Sequence, residues 1–327
     1  MKILIVGPVF FGYAEALSAE MRARGHSVKF IHERGNEFFL VKLIFRVGIL
    51  RKVFWPVVRY LQFMILQTAK QYEPTHILFV SPDAMSSFLI NGLKTIVPHI
   101  GVYMWDSFQN KPSTLPYKNQ FDFFATFDPL DAEIHDLRLI NLFAEGHFAS
   151  CRCEDSARDL QIVFVGTAHS KRAKILLSLQ KKLKNLKVKN HIHAYWGNIG
   201  YSLSSIFNSR GLSISMLKRN QLSKYEVARL FGRSRFVLDI KHPEQTGLTS
   251  RSFEALLSGA HLLTNNEKAQ ELLPNYKDQI HLWDVLDEKF LERLFGLTTS
   301  GAEENEVYEL SIHRFASEIE TLLRSAA

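Results

Sequence analysis

A strand–glycine–helix pattern that occurs twice constrains this chain more than any other feature. The first copy is the apolar run Lys2–Val6, ending in Gly7-Pro8. A helical segment over roughly 12–24 carries Ala16, Leu17, Ala19 and Met21 among polar neighbours, and Gly25-His26 stops it before a second strand, Ser27–Ile31. Strand, helix and strand at this spacing predict a βαβ unit with parallel strands. Further strands are expected at His76–Val80, Ile100–Met104 and Phe121–Ala125. They are followed by Ser81-Pro82-Asp83, Trp105-Asp106-Ser107 and Phe127-Asp128-Pro129. In open parallel sheets ligand groups collect past the strand C-termini, where these aspartates fall.

The second copy begins at Leu160–Val165, ends in Gly166-Thr167, and leads into a basic helix with Lys171, Arg172 and Lys174 near its start. His191–Trp196 is a further strand, ending in Gly197-Asn198. Ser223 is the expected N-cap of a helix over 224–233. Phe236–Ile240 and His261–Thr264 continue the strands. The restart predicts an α/β protein of two domains, 1–150 and 151–327, joined near 146–159, where apolar periodicity lapses. The tail over 307–323 is apolar at Leu310, Ile312, Phe315, Ile319 and Leu322. It reads as an amphipathic helix packed on one domain or bridging both.

Composition bounds the function. The net charge of +7 favours polyanionic partners: nucleic acid, anionic lipid or phosphorylated substrates. Two cysteines, Cys151 and Cys153, do not make a disulfide framework and fit a reducing compartment. The start Met1–Gly7 lacks the apolar core and cleavage site of a signal peptide, so a cytoplasmic α/β domain is expected. Among 13 histidines no H-E-x-x-H or paired Cys/His spacing occurs, so no metal is expected. His191 and His193 share one strand face, a pattern of packing more than ligation. Gly7 and Gly12 lack the G-x-G-x-x-G spacing, which reduces that turn to a tight βα connection open to an acceptor. The G-x-S-x-G elbow of hydrolases is missing.

Residues 38–72 contain no acid, but hold Lys42, Arg46, Arg51, Lys52, Arg59 and Lys70 among aromatic and aliphatic side chains, including Trp55. Charges interrupt the run too often for a membrane span. The mixture instead predicts peripheral contact with an anionic membrane surface, in two helices divided at Pro56. No helix-turn-helix, zinc or ribonucleoprotein signature supports nucleic-acid binding.

The densest chemistry lies in Asp239–Glu254. A buried strand runs into a polar loop, Lys241-His242-Pro243-Glu244-Gln245-Thr246-Gly247-Leu248-Thr249, and then into a helical segment, Phe253–Gly259. A loop delivering backbone N–H groups to a helix N-terminus is a phosphate cradle. Arg251 adds a cation near the first turn, and Glu254 follows as an acceptor for ribose hydroxyls. In the first half, Asp106 is placed to act as a base toward a sugar hydroxyl, to stabilise positive charge at an anomeric carbon or to attack it, or simply to cap the next turn. Asp128, before a proline, reads more strongly as a cap.

Together, Trp105-Asp106-Ser107, Phe127 to Asp131, Phe164 to Thr167 with His169 to Arg172, and Asp239 to Glu254 resemble the GT-B glycosyltransferases, more narrowly those of bacterial capsule, exopolysaccharide and lipopolysaccharide assembly. The resemblance implies two Rossmann-like domains facing a cleft, with acceptor on the N-terminal and donor on the C-terminal domain. It implies transfer of a sugar from a nucleotide-sugar donor to a glycan or lipid-linked acceptor, without metal or other cofactor, on the inner face of the cell membrane. Gly166, Thr167, Arg172, Gln245, Thr246, Gly247, Leu248, Thr249, Arg251 and Glu254 would surround the donor. Gly7, Phe10, Asp83 and Asp128 would face the acceptor, and Asp106 and His242 would be catalytic. Lys241-His242 stands near where the large retaining group has the first of two glutamates, which leaves the stereochemistry open. A non-hydrolysing nucleotide-sugar epimerase shares the fold and is the main competing activity; a non-catalytic membrane-docking module is the other alternative.

Overall fold

The apolar runs do become buried parallel strands. The computed structural model describes residues 1–9, 12–34, 53–83, 85–167, 170–195, 217–218, 220–297 and 307–326. The chain forms two compact units. Unit 1 takes residues 1–142, 242–247 and 312–327; unit 2 takes 143–241 and 248–311.

In unit 1, β1 (Lys2–Gly7), β2 (Ser27–His32), β3 (His76–Val80), β4 (His99–Met104), β5 (Phe123–Thr126) and β6 (Arg138–Leu139) form a parallel sheet in the order β2-β1-β3-β4-β5-β6. Helices α1 (Tyr13–Ala23), α2 (Trp55–Tyr72), α3 (Ser87–Lys94) and α4 (Pro129–His135) connect them. The strand order reverses between β1 and β3, which opens a crevice at their C-terminal ends. Gly7 sits at that edge because a Cβ there would lie 2.7 Å from the Val80 carbonyl. Leu4, Val6, Ile77, Phe79 and Val102 on the sheet pack against Ile65, Leu66, Leu89 and Leu93 of α2 and α3. Pro56 is in the first turn of α2, where its missing N–H is harmless. The rest of the basic segment, 38–52, lies outside the described residues.

In unit 2, β7 (Leu160–Thr167), β8 (Asn190–Tyr195), β9 (Leu217–Lys218), β10 (Ser234–Asp239), β11 (His261–Thr264) and β12 (Ile280–Leu282) form a second parallel sheet in the order β12-β11-β10-β7-β8-β9. Helices α5 (Ser170–Asn185), α6 (Lys224–Gly232), α7 (Ser250–Leu257) and α8 (Glu288–Phe295) join them. This is the doubly wound order with its reversal between β7 and β10. The α6 start follows the expected cap: Ser223 Oγ accepts from the Glu226 N–H, and Glu226 accepts from the Ser223 N–H at 2.7 Å.

The domain boundaries expected from sequence need correction at three places. The break comes at Leu142, not 150. The helix Ile312–Ser325 belongs to unit 1 rather than to the second domain. Phe315 packs edge-on against Tyr103 with ring centroids 5.0 Å apart, and Arg314 donates to the carbonyls of Asn141 and Leu142. Glu320 pairs with Arg24 at 3.3 Å. Residues 242–247 also join unit 1, for reasons given next.

Candidate functional site

Two clusters of polar side chains gather at strand C-termini, one in each unit.

In unit 2 the cluster forms at the β7/β10 reversal. Asp239 ends β10 with 1% of its surface exposed. Arg251, in the first turn of α7, pairs with it at 2.6 Å and donates through Nε to the Val165 carbonyl at 2.9 Å. The guanidinium lies over Gly166, where a Cβ would come within 2.6 Å of Nη2. Glycine is therefore required there by close approach, not by a turn. Ser252 Oγ donates to the other Asp239 oxygen at 3.3 Å. Arg172 is buried beneath and donates through Nε and Nη2 to the Ile240 carbonyl at 3.1 and 2.6 Å. Burial and the neighbouring Arg251 cation lower its pKa to about 10. Two guanidiniums against one carboxylate leave a local positive charge. The α7 N-terminus adds to it, since Thr249 is its N-cap but makes no side-chain cap hydrogen bond. An anion fits this edge. Thr167 is exposed, Thr249 and Glu254 are half-buried beside it in sequence, and Leu248 is buried in the core.

Arg172, expected among the residues around the donor, stands at this edge within electrostatic reach of Arg251 and Asp239. Two of its nitrogens are committed to Ile240, so it braces the β10 exit. Sequence reading also gave no role to Asp239. A carboxylate closing an apolar strand twelve residues before an arginine was the available signal.

In unit 1 the cluster is built by Asp128. Its carboxylate, 2% exposed, caps α4 by accepting from the Leu130 and Asp131 N–H groups. It also accepts from the Thr246 N–H and Oγ1, both at 2.6 Å, and from the Gly247 N–H at 3.1 Å. Gly247 is pressed against Phe127, whose carbonyl would lie 2.6 Å from a Cβ. Gln245 Nε2 donates to Asp106 Oδ1 at 2.7 Å, and Ser107 Oγ donates to the Glu244 carbonyl at 2.7 Å. These bonds are why 242–247 belongs to unit 1. They place Gln245, Thr246 and Gly247, expected around the donor, beside Asp106 and Asp128 within unit 1.

Asp106 is half-buried. Oδ1 accepts from Gln245 and from Asn110 Nδ2, the latter at 3.0 Å. Both amides hold one oxygen and fix the carboxylate's direction, so Asp106 is not a turn cap. Nearby, burial raises the Asp131 carboxyl above its ordinary range, with Asp128 and Asp106 adding to the effect. His242 accepts at Nδ1 from the Glu244 N–H at 3.3 Å, which leaves the proton of a neutral ring on Nε2.

Asp83 lies elsewhere in unit 1, past β3. Burial opposes its charge, but Lys111, at 2.8 Å, and Arg34 override that and hold its carboxyl below the ordinary value. Glu33 accepts from the Asp83 N–H. Asp83, expected on the acceptor side, is thus held in ion pairs with Arg34 and Lys111. Lys111 and Arg34 were not anticipated, because their partner is 28 and 49 residues away in sequence. Phe10 lies outside the described residues. No cluster of metal-ligating side chains occurs among the described residues.

Comparison with known proteins bears on both units. The glycosyl transferase-like family matches residues 172–318. No curated protein matches the sequence. Solved structures match nearly the whole chain. Anabaena HepE, solved with UDP and glucose, has a TM-score of 0.63 at 12% identity, covering 99% of this chain and 100% of its own. The lipopolysaccharide outer core galactosyltransferase WaaB has a TM-score of 0.60 at 12% identity, with 100% of both chains covered. The UDP-GlcNAc 2-epimerase of Methanocaldococcus jannaschii has a TM-score of 0.56 at 10% identity, covering 99% of this chain and 100% of its own. The solved structures show the GT-B fold for the whole chain, and the glycosyl transferase-like family matches its second half, over 172–318.

Proposed function

We propose that the enzyme moves a sugar from a nucleotide-sugar donor, bound by unit 2, to a hydroxyl of a surface-glycan or lipid-linked acceptor, bound by unit 1. The observation that carries this reading is the arginine-rich edge at the β7/β10 reversal. Arg251, the uncapped α7 N-terminus and the bare backbone at Gly166 offer a nucleotide phosphate a fixed positive field. As the glycosyl bond breaks, charge builds on that phosphate, and no reorganisation is needed to meet it. Half-buried Glu254 is the acceptor for ribose hydroxyls. Asp106 takes the proton of the attacking hydroxyl or steadies the anomeric carbon through its outward oxygen. His242, with its proton on Nε2, serves as a donor to the sugar.

The enzyme works at an anionic membrane surface on the cytoplasmic side. Support comes from α2 and the residues just before it, where Val53, Trp55, Tyr60, Phe63 and Met64 are exposed. No helix among the described residues is long and apolar enough to cross a membrane.

The test is transfer. Purified protein is incubated with UDP-, GDP-, ADP- and CMP-sugars, with and without membrane-extracted acceptors. Acceptor-dependent incorporation of label from one donor is expected. Interconversion of the donor without any acceptor sinks this reading and favours an epimerase.

A further inference from the structure

The positive charge of this protein is concentrated in two acid-free stretches: 38–72, with six Lys and Arg, and the longer 160–225. Of 40 Lys and Arg, 12 fall between Leu160 and Tyr225, a stretch with no Asp or Glu; the other 28 face all 33 acids. Outside that stretch the chain is net negative.

Part of this excess emerges on α5. The helix buries Ala173, Leu176, Leu179 and Leu183 in the unit 2 core. It exposes Lys174, Lys181 and Lys184, and the turn after it exposes Lys187. None of these four has an ion-pair partner among the described residues, whereas Lys189 is paired with Asp159 and Lys182 donates to the Leu286 carbonyl. Lys174 and Lys181 are two turns apart, about 10 Å along the helix. Like charges on one face repel. They are not offset internally, and their counter-charge must come from outside. The described part of α5 exposes no large apolar or aromatic side chain. It therefore lacks both the stacking platform of a nucleic-acid groove and an apolar wedge for insertion. A row of flexible ammonium groups with nothing between them matches a plane of anionic headgroups.

We propose that this lysine face of unit 2 docks on an anionic bilayer by charge alone, as a contact separate from the aromatic α2 face of unit 1. The inference rests on the membrane-surface reading above and adds a second, purely electrostatic contact to it.

The test is vesicle co-sedimentation of the full chain. Phosphatidylcholine vesicles are compared with vesicles containing about one-third phosphatidylglycerol. Each surface lysine is worth about fivefold in partitioning. Lys174→Glu/Lys181→Glu/Lys184→Glu should lower binding to anionic vesicles at least tenfold and leave neutral-vesicle binding unchanged. The corresponding Gln variant should fall in between. All three positions are exposed, so the thermal midpoint should hold within about 2 °C, which separates lost docking from lost fold. The charge-dependent increment should vanish at 1 M salt, where screening acts within about 3 Å. Trp55→Ala/Phe63→Ala should instead weaken binding to both vesicles; if it does not, the α2 reading fails alone. Anionic-vesicle binding unchanged in the triple Glu variant overturns the lysine face alone, and no wild-type binding to either vesicle overturns both. Loss of binding to inorganic polyphosphate with vesicle binding intact would assign the face to a soluble polyanion and also overturn the proposal.

Discussion

Replacing Asp128 with alanine should release the 242–247 segment from unit 1. The carboxylate is buried and takes donors from two places at once: the first turn of α4 and the Thr246–Gly247 backbone. Losing the α4 cap costs about 1 kcal/mol. Each N–H from Thr246 and Gly247 donates to a charged acceptor, a bond worth about 1.5–3 kcal/mol. Phe127 presses on Gly247, so water has little room to replace the lost oxygen there. The total is about 4–7 kcal/mol for Asp128→Ala. Asp128→Asn should cost about half, because one oxygen is kept. Urea denaturation of unit 1 and amide hydrogen exchange at Thr246 and Gly247 measure it. Exchange at these two amides should accelerate at least a hundredfold. A loss below 1 kcal/mol with their protection intact would refute Asp128 as the anchor of the loop.

Other consequences follow from the same contacts. Arg251→Ala leaves Asp239 charged and buried without its cation, so stability should drop by about 3–5 kcal/mol, and Asp239→Asn in the same chain should restore part of it on calorimetry. Asp106→Asn should lower kcat at least a hundredfold while donor affinity stays within about twofold; comparable losses in both would remove Asp106 from the chemistry. His261 gives a pH dependence. Burial, and next to it His281, hold its pKa at about 4, against about 6.5 when unfolded. The unfolded state therefore takes up the proton first, and the stability present above pH 6.5 is lost as pH falls to about 4, by up to about 3 kcal/mol. His261→Phe should flatten the unfolding midpoint across that range, and an unchanged slope would contradict the assignment.

How far the sequence foretold this depends on the length over which a signal runs. β1, β3, β4, β7 and β10 were legible because each is a buried apolar run of five or more residues ending in a glycine or polar turn. β6, β9 and β12 are two or three residues long and carry no periodicity, so they were missed. α7 starts at Ser250, three residues before the apolar pattern suggested, because Arg251 and Ser252 face Asp239 and not the core. Arg251 at the β7/β10 edge was legible from its place at a helix start. The allegiance of Gln245 and Thr246 was not. It is decided by Asp128, 118 residues before Thr246, whose Asp-Pro context showed only the cap. The C-terminal helix was legible as amphipathic, but its partner is set by Tyr103 and Arg24, far away in sequence.

The central claim is that the β7/β10 edge of unit 2 binds the phosphate of a nucleotide sugar through Arg251. Calorimetric titration of nucleotide sugars and their free nucleotides into the wild type and Arg251→Lys tests it most directly, since lysine keeps a cation beside Asp239 but loses the planar fork. One nucleotide class should bind the wild type, its free nucleotide should keep most of the affinity, and Arg251→Lys should bind at least tenfold more weakly with its fold intact. Absence of nucleotide binding, or binding indifferent to Arg251, would contradict the account.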